Sequence, residues 1–305
     1  MVHIFIINAH AGMEKFSAAL RNHLSKRTDI KYYILHTRRH LDEIELVKQV
    51  LSLFEDEAIR IYSCGGSGTF RNILAGLEDP SGVEIAFFPK GFTNDFLKSF
   101  GEKRNLFDDI DNLIEGQAIP IDYIKTNHGP ALNTFSLGLD TIQVQKMNEF
   151  RSMSVFGKNV PYFLGFIFAI FKSLPFELEV EIDNTKHTGR FQEIFFGNGG
   201  VIGGSLWFEK KTSITDGKGR IVLFRMMPTP KIIKNLMKLI KKDVDNIADC
   251  GYAGYTDHIT VRRRDGVPFI VDLDGDLQPP QEEWQVSIVK GGLNFVVPKG
   301  VKIND

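Results

Sequence analysis

The chain has 305 residues, 43% of them apolar, which is enough for two ordinary domains that each bury a core. Its 37 basic and 38 acidic residues give a formal charge of -1, so the composition lacks the polybasic character of nucleic-acid-binding proteins and of proteins that adhere strongly to anionic lipid. The two cysteines, Cys64 and Cys250, have no paired spacing, which argues against a disulfide framework or a zinc site and favours the cytoplasm.

The first ninety residues alternate between short strand-like runs and segments of helical periodicity. The amino-terminal "MVHIFIINAHAG" lacks the features of a signal peptide and indicates a first strand. Such alternation predicts βαβ units and a parallel sheet, with ligand-binding loops at the carboxyl ends of its strands. We predict strands at residues 3–7, 31–36, 59–63 and 84–88, one apolar helical face of Phe16, Ala19, Leu20 and Leu24, and another of Ile44, Val47, Leu51 and Phe54.

Polar or glycine-rich residues follow each of these strands: Asn8, Thr37, "GGSGT" at 65–69 and "PKGFTND" at 89–95. These four segments should therefore converge on one edge of the sheet.

In "GGSGT", the glycines Gly65, Gly66 and Gly68 permit positive φ and close approach of a ligand, and Thr69 is a candidate N-cap. The helix that follows would carry Ile73, Leu74 and Leu77. Exposed N–H groups and the helix dipole favour a phosphate there, although a tight turn without a ligand has the same glycines.

The segment 87–101 repeats this design, with a strand, a Pro-x-Gly turn and then a helix. Thr93 or Asn94 is its candidate N-cap and Asp95 falls in the first helical turn, where an acidic residue often only complements the helix dipole. The presence of two such loops side by side favours a ligand site.

The pattern changes after about Asp122 to that of a mostly antiparallel sandwich or barrel. Helical stretches are predicted at about 140–175 and 230–242, and the apolar run 160–176 is too short to span a bilayer, which indicates a buried or interfacial helix. The predicted strands are "ALNTFSLG", "FELEVEID", "GRFQEIFFGN", "GRIVLFR", "DHITVRR", "PFIVDLD", "EWQVSIV" and "LNFVVP".

Two acidic loops lie in this second half. Residues 196–220 fit a hairpin with a bulge or, alternatively, a cation held by Asp216 and nearby carbonyls. Residues 271–277, "VDLDGDL", form an acidic β-turn with Asp272, Asp274 and Asp276, and the fragment is too incomplete for a calcium loop.

In this order, the motifs resemble those of the diacylglycerol-kinase-like lipid kinases, which include the bacterial diacylglycerol kinases and the sphingosine and ceramide kinases. The resemblance covers nearly the whole chain. Gly-Gly-x-Gly-Thr also occurs in the NAD kinases, but the late segments favour the lipid kinases. The segments are "NAHAG" at 8–12, "GGSGT", "PKGFTND", "IDYIK" at 121–125, "GNGGVIGG" with "TDG", and "DGD" at 274–276.

The resemblance implies a nucleotide-binding α/β domain at 1–122, joined by about 292–305, and a β-sandwich domain for the lipid at 123–291. ATP would lie in the cleft between them with Mg²⁺. The nucleotide would be held by Asn8, Thr37, Gly65, Gly66, Ser67, Gly68, Thr69, Asn72, Phe92, Asn94 and Asp95.

The resemblance also implies roles for several acidic residues. Asp95 and Asp122 would lie near the magnesium, and Asp274 would be the general base on the lipid hydroxyl. Asp216 would join a structural magnesium site with the neighbouring Ser213 and Lys218. Phosphoryl transfer requires this combination of positioning, charge neutralisation and a proton acceptor.

The implied acceptor is a long-chain lipid presented by a membrane, with a place in phospholipid biosynthesis and with residues 160–176 helping to form an acyl-chain pocket. We expect a cytoplasmic protein in peripheral contact with the membrane, no nucleic-acid partner, and compatibility with a homo-oligomer.

Three residues depart from the family pattern: Ser67 replaces an Asp, Phe92 a Thr and Asp276 a Glu. Two alternatives therefore stay open, namely a kinase of a soluble acceptor such as NAD and a catalytically weakened nucleotide- or lipid-binding protein.

Overall fold

The structure is a computed structural model that describes residues 1–8, 14–91, 93–150, 176–211, 213–247 and 250–301. The chain divides into two compact units, one formed by Met1–Tyr123 with Lys290–Asp305 and the other by Ile124–Val289. Residues 9–12 of "NAHAG", Phe92 and the predicted helical residues 151–175 lie outside the described residues.

The first unit is an α/β unit on a parallel sheet, as the alternating pattern predicts. Its elements are β1 (Val2–Ile7), α1 (Glu14–Leu24), β2 (Lys31–His36), α2 (Asp42–Leu53), β3 (Ile59–Gly65), α3 (Ser67–Ala75), β4 (Glu84–Pro89), a 3₁₀ helix (Asp95–Asp108), α4 (Ile110–Ile114) and β5 (Gln117–Thr126), which ends in the second unit. The strand order is β2-β1-β3-β4, and all pairs are parallel. Residues 294–296 of the chain's last strand extend the sheet in parallel beside β4.

The core of this unit depends on aromatic rings that link the helices to the sheet. The Phe295 ring contacts the rings of Phe70, Phe96 and Phe107, and Phe70 also contacts Phe87. All five side chains are buried, and burial of each contributes about 2–3 kcal/mol. This packing holds α3 and the 3₁₀ helix against the sheet, and with them the loops that precede both helices.

The predicted helical faces are only partly correct. In α1 the buried residues are Ser17, Leu20 and Leu24, so the buried stripe is rotated and Ala19 is exposed. In α2 the buried stripe is Glu43, Val47 and Val50, and the predicted Ile44, Leu51 and Phe54 are half-buried. A polar Glu43 in the buried stripe is a feature that an apolar pattern does not predict.

The second unit is a mostly antiparallel β unit, which confirms the predicted fold class. One path of strands runs β16-β15-β7-β9-β8-β14-β17, with β12 pairing β9 and β13; the pairings within this unit are antiparallel. The elements are β6 (Gly129–Ala131), β7 (Thr134–Gly138), α5 (Leu139–Phe150), β8 (Phe176–Ile182), β9 (Thr185–Gly197), β10 (Val201–Ile202), β11 (Leu206–Trp207), β12 (Gly219–Arg225), α6 (Thr229–Ile240), β13 (Cys250–Thr256), β14 (His258–Arg263), β15 (Asp272–Leu273), β16 (Asp276–Leu277) and β17 (Glu283–Val297).

Three details differ from the predicted strands. β13 was not predicted, because its sequence "CGYAGYT" has few residues that favour strands. The run "PFIVDLD" forms only β15 and one isolated bridge between Phe269 and Gln281. The last two predicted strands are one continuous strand, β17. Among the described helices, none combines the length and the apolar character that a bilayer crossing requires.

Candidate nucleotide site and acidic hairpin

The turn between β3 and α3 leaves the start of a helix open. The helix begins at Ser67, its N-cap is Gly66 in an extended conformation, and no side chain among the described residues caps it. The prediction that Thr69 is the N-cap is wrong, because Thr69 already lies in the first helical turn. Since the first N–H groups of a helix have no partner within it, this turn presents donors that suit an anion.

The glycines of this turn serve close packing. Gly65, Gly66 and Gly68 do not adopt the positive φ that glycine permits, and Gly68 lies inside α3. A Cβ on Gly65 would lie 2.4 Å from Thr69 Oγ1, and one on Gly91 would lie 2.6 Å from the Cα of Gly66. The two glycine loops therefore touch backbone to backbone, and the Lys90 N–H donates to the Gly65 carbonyl at 2.7 Å.

A polar network joins three segments of the first unit at this edge. Asn8, which follows β1, donates from Nδ2 to Thr69 Oγ1 at 2.9 Å and to Glu43 Oε1 at 3.4 Å. Asn72 Nδ2 donates to the other oxygen of the buried Glu43 at 3.3 Å. The Thr37 N–H donates to the Ile7 carbonyl at 3.0 Å. The predicted convergence of the segments after β1, β2, β3 and β4 is thus confirmed, and Glu43 is an addition that the sequence did not indicate.

The loop before the 3₁₀ helix contributes a buried acceptor. Asn94 is the residue before this helix, as predicted, and has a left-handed conformation with φ 45°. Its Nδ2 donates to the Gly91 carbonyl at 3.0 Å, whereas its buried Oδ1 has no hydrogen-bond partner among the described residues. An orphaned buried acceptor beside an open helix start fits a ligand that brings a hydroxyl or amino donor.

Asp95 lies in the first turn of the 3₁₀ helix, as predicted, and forms an ion pair. Its Oδ1 is 2.8 Å from Lys98 Nζ, and both side chains are almost buried. The ammonium group therefore already neutralises the carboxylate that the resemblance places near magnesium.

Asp122 is fully buried in β5 and its Oδ1 accepts from the Gly291 N–H at 2.8 Å. Carboxylates are the donors that Mg²⁺ prefers, and this ion usually takes one or two of them together with phosphate and water. The donor types of Asp95 and Asp122 fit such an ion. Within the described ranges, the three-residue grouping with metal-ligand atoms close together is elsewhere, at the exposed Asp183, Asp257 and His258.

Cys64, the residue before the first glycine, is not a nucleophile. Burial raises the pKa of its thiol well above the ordinary value, so the sulfur is protonated at neutral pH.

In the second unit, Asp274 lies in the turn between β15 and β16 with a left-handed conformation, φ 56°. Its Oδ2 accepts from the Leu132 N–H at 2.6 Å, and its Oδ1 accepts from the N–H groups of Asn133 and Thr134 at 2.9 and 2.8 Å. Three backbone donors stabilise the ionised carboxylate and fix its orientation. The neighbouring Asp272 is buried and accepts from the Gly275 N–H at 2.8 Å. The predicted acidic β-turn is thus confirmed.

The loop that holds Asp274 is braced by a second loop from the predicted "GNGG" motif. Asn198 Nδ2 donates to the Leu132 carbonyl at 3.0 Å, and Asn133 Nδ2 donates to the Val201 carbonyl at 2.9 Å. The N–H groups of Asn198 and Gly199 both donate to the Asn133 carbonyl. Asn133 is not among the predicted site residues, although the polar Asn-Thr pair within an apolar strand pattern marks its position.

The loop at 213–218 forms a local turn. The Asp216 Oδ1 accepts from the Lys218 N–H at 2.9 Å, and Gly217 has a positive φ of 79°. Asp216 and Lys218 are exposed and Ser213 is half-buried. Upstream, β10 and β11 form the hairpin that the sequence predicted as one reading of residues 196–220.

An apolar cavity of about 50 Å³ lies within the second unit, with room for only a few water-sized groups. The cavity is too small in this conformation for a complete acyl chain. Its lining includes Leu139, Ile202, Phe208, Phe224, Leu236 and Leu239.

Residues 3–126 match the family described as the diacylglycerol kinase catalytic domain. A protein of Staphylococcus aureus (strain bovine RF122 / ET3-1) named "Putative lipid kinase" is 28% identical over 146 residues, which are 48% of this chain and 47% of that protein. A protein of the same name from strain JH9 matches over the same shares at 28% identity. The match thus spans about half the length of these curated relatives.

The fold is similar to that of two solved structures from Bacillus anthracis str. Sterne, each described as a "putative diacylglycerol kinase". One has a TM-score of 0.75 at 20% identity and covers 98% of this chain and 96% of its own. The other has a TM-score of 0.73 at 19% identity and covers 99% and 98%. At these identities the similarity establishes the fold. Together with the family match over residues 3–126, it confirms the resemblance drawn from the motifs.

Proposed function

We propose that this chain is an ATP- and Mg²⁺-dependent kinase that transfers the γ-phosphate to a hydroxyl of diacylglycerol or a related long-chain lipid. The main support for this proposal is the geometry of the two glycine loops in the first unit. The uncapped start of α3 lies against the second glycine loop, in a cradle that a Cβ on Gly66 or Gly91 would fill. This cradle falls inside the matched residues 3–126.

The nucleotide would be bound mainly by backbone groups of the first unit. The N–H groups at Ser67, Gly68 and Thr69 suit phosphate oxygens, because they begin a helix whose dipole favours negative charge. The orphaned Asn94 Oδ1 suits a nucleotide hydroxyl or amino group. Asn8, Thr37, Asn72 and Phe92 remain predicted contacts.

Asp95 and Asp122 are the residues that we propose near magnesium, which when bound neutralises charge on the transferred phosphate. For Asp95 this role requires competition with Lys98, whose ammonium lies 2.8 Å from its Oδ1. Ser67 stands in the glycine turn where the family pattern has an Asp. Asp95 and Asp122 would therefore balance the magnesium charge without a third carboxylate from that turn.

Asp274 would accept the proton of the lipid hydroxyl. Its three backbone donors hold it in one orientation, which suits a residue that must receive a hydrogen bond from the acceptor. We infer that correct placement of the hydroxyl contributes more here than base strength.

Asp216, with Ser213 and Lys218, would bind a structural magnesium ion. The Asp216 carboxylate lies in a turn in which its Oδ1 accepts from the Lys218 N–H, and carboxylate oxygens are ligands that hard cations prefer. Calorimetric titration of Mg²⁺ into wild type and Asp216→Ala tests this assignment, and equal binding to both would contradict it.

The acceptor class is tested by incubating the purified protein with γ-labelled ATP, Mg²⁺ and a panel of diacylglycerol, a sphingoid base, ceramide and NAD. We expect label in one or more lipids and none in NAD. Labelled NAD without labelled lipid would replace the proposal with the soluble-acceptor kinase.

A weakened site is the second candidate, favoured by Ser67 and by the Asp95–Lys98 ion pair. Ser67→Asp restores the family carboxylate in the glycine turn. A large gain in turnover would indicate that the natural chain is a weakened nucleotide- or lipid-binding protein. A loss would show that Ser67 belongs to a working variant of the site.

A further inference from the structure

We infer that α6, with the residues that flank it, is a docking surface for an anionic lipid bilayer. The surface consists of exposed apolar residues Met226, Ile233, Met237 and Ile240 and of the lysines between residues 231 and 242. It concerns how the chain reaches a lipid acceptor, so its biological sense depends on the proposed function, whereas the binding itself does not require ATP.

The helix has three sectors around its axis. Its inner sector is packed, with Ile232, Asn235 and Leu239 buried. The next sector is apolar but exposed: Ile233, Met237 and Ile240 are 45%, 48% and 46% exposed. These positions follow the i, i+4, i+7 spacing of one helical stripe, so they form a continuous apolar strip along the helix.

The third sector is basic. Lys231, Lys234, Lys238 and Lys241 follow the spacing of a neighbouring stripe, and Lys242 comes directly after it. Helix α6 itself contains no acidic residue. Residues 226–247 carry five lysines and two aspartates, a formal charge of +3 in a chain whose total is -1.

The two acidic residues nearby have other contacts. Asp245 pairs with Lys210 at 2.5 Å, and Asp243 accepts from Asn246 Nδ2 at 2.7 Å. Two of the lysines also have local contacts: Lys238 donates to the Asn246 carbonyl, and Lys242 lies 3.7 Å from the centre of the Trp207 ring. Lys234 and Lys241 are exposed and are therefore the best positions for a test.

An apolar strip bordered by lysines is the pattern of a helix that lies in the interface of a membrane. The strip fits the boundary between headgroups and acyl chains, and the lysines fit anionic phosphates. A second copy of the chain fits less well, because two faces of charge +3 would repel each other. Met226, 54% exposed just before the helix, adds a further apolar group to the same surface.

The test is co-sedimentation, without ATP, with vesicles of pure phosphatidylcholine or of equal parts phosphatidylcholine and phosphatidylglycerol. We expect binding to the anionic vesicles that weakens as salt is added. Replacing Lys234 or Lys241 by Glu should lower the partition coefficient about fivefold or more for each lysine. The double variant Ile233→Ser, Met237→Ser should lower it about tenfold or more.

Matched controls lie on α2 in the other unit. Lys48→Glu removes an exposed lysine and Leu53→Ser removes a leucine that is 75% exposed, and both should bind vesicles like the wild type. Circular dichroism and thermal unfolding should show that every variant is folded.

Four results would overturn the inference: no binding to anionic vesicles, equal binding to pure phosphatidylcholine, unchanged binding by the α6 variants, or a dimer in light scattering that Met237→Ser dissolves. Transfer of phosphate to detergent-dispersed lipid separates this inference from the proposed function. Transfer without vesicle binding would contradict only the docking surface, and vesicle binding without transfer would contradict only the kinase.

Discussion

The glycine-rich edge of the first unit and the acidic hairpin of the second unit use backbone N–H groups in opposite ways. At the edge, the N–H groups that begin α3 have no side-chain cap and two glycine backbones pack together beside them. In the hairpin, three N–H groups converge on the carboxylate of Asp274. The first arrangement offers its donors to a ligand, and the second directs its donors to a carboxylate of the chain itself.

The two arrangements therefore suit different tasks: the edge of the first unit suits ligand binding, and the hairpin suits the positioning of the Asp274 side chain. Phosphate that binds the N–H groups at the start of α3 would bind only the folded state, so nucleotide should stabilise the first unit. A carboxylate supplied with donors is fixed in place, so its loss should affect both the fold of the second unit and the reaction. Substitutions in both units and a change of pH, in decreasing order of expected effect, test this difference between ligand binding and side-chain positioning.

Removing the ammonium beside Asp95 should have the largest effect on stability. Lys98→Gln removes the ammonium that lies 2.8 Å from a nearly buried carboxylate, and we expect a loss of about 3 kcal/mol in the free energy of unfolding. If Asp95 is a magnesium ligand, ATP with Mg²⁺ should restore more stability to this variant than to the wild type. The measurement is urea unfolding with and without ligand.

Lys103→Gln is the control for that variant, because Lys103 is exposed and its loss should change stability by less than about 0.5 kcal/mol. Equal stabilisation of the Lys98 variant and the wild type by magnesium nucleotide would remove Asp95 from the metal site.

Asp274→Asn should cost about 2–3 kcal/mol, because an amide nitrogen would face at least one of the three backbone donors. Phosphate transfer should also be lost under conditions in which the variant is folded. The control is Asp245→Asn, which removes only an exposed ion pair with Lys210. Wild-type stability in the Asp274 variant would show that the three hydrogen bonds do not hold the loop.

Gly91→Ala should weaken the first unit by about 2 kcal/mol and lower ATP affinity, since its Cβ would lie 2.6 Å from the Cα of Gly66. Gly82→Ala is a matched control, because the nearest atom to its added Cβ is 4.0 Å away. Unfolding titrations and calorimetric ATP binding measure both effects. An ATP affinity equal to that of the wild type would show that the contact between the two glycine loops is not part of the nucleotide site.

Acid should destabilise the first unit through His3, which lies in β1. Burial, with the Arg60 charge nearby, lowers the pKa of His3 from 6.5 to about 4, so the unfolded chain takes up this proton first as the pH falls. Stability from this group is complete above pH 6.5 and is lost between there and pH 4, by about 1–2 kcal/mol at pH 5. His3→Gln should flatten this part of the pH profile, and an unchanged slope would contradict the assignment.

The features of the fold and the candidate site that depend on residues close together in the sequence could be predicted from the sequence. The four parallel strands and the loops after them follow from alternation and from glycine and polar residues at fixed places. Asp274 as an acidic turn residue follows from "DLDGD" in the same way.

The features that the sequence does not predict depend on contacts between residues that are far apart in the sequence. The donors to Asp274 come from residues about 140 positions earlier, and nothing in "LNT" indicates that its N–H groups meet a carboxylate. Glu43 is buried because Asn8 and Asn72 bind it, although an acidic residue is ordinarily expected on the exposed face of a helix. The net charge of -1 does not indicate the basic surface of α6, because a sum over the whole chain does not show local clusters of charge.

We propose that the donor-rich edge and the Asp274 hairpin both serve one phosphoryl transfer. The most direct measurement is transfer of label from γ-labelled ATP to diacylglycerol in mixed micelles with Mg²⁺, for the wild type, Gly91→Ala and Asp274→Asn. We predict transfer by the wild type, with Gly91→Ala needing more ATP to reach half-maximal rate and Asp274→Asn inactive at every ATP concentration. Binding of ATP by the folded wild type with no transfer to any lipid, or full activity in Asp274→Asn, would contradict the account.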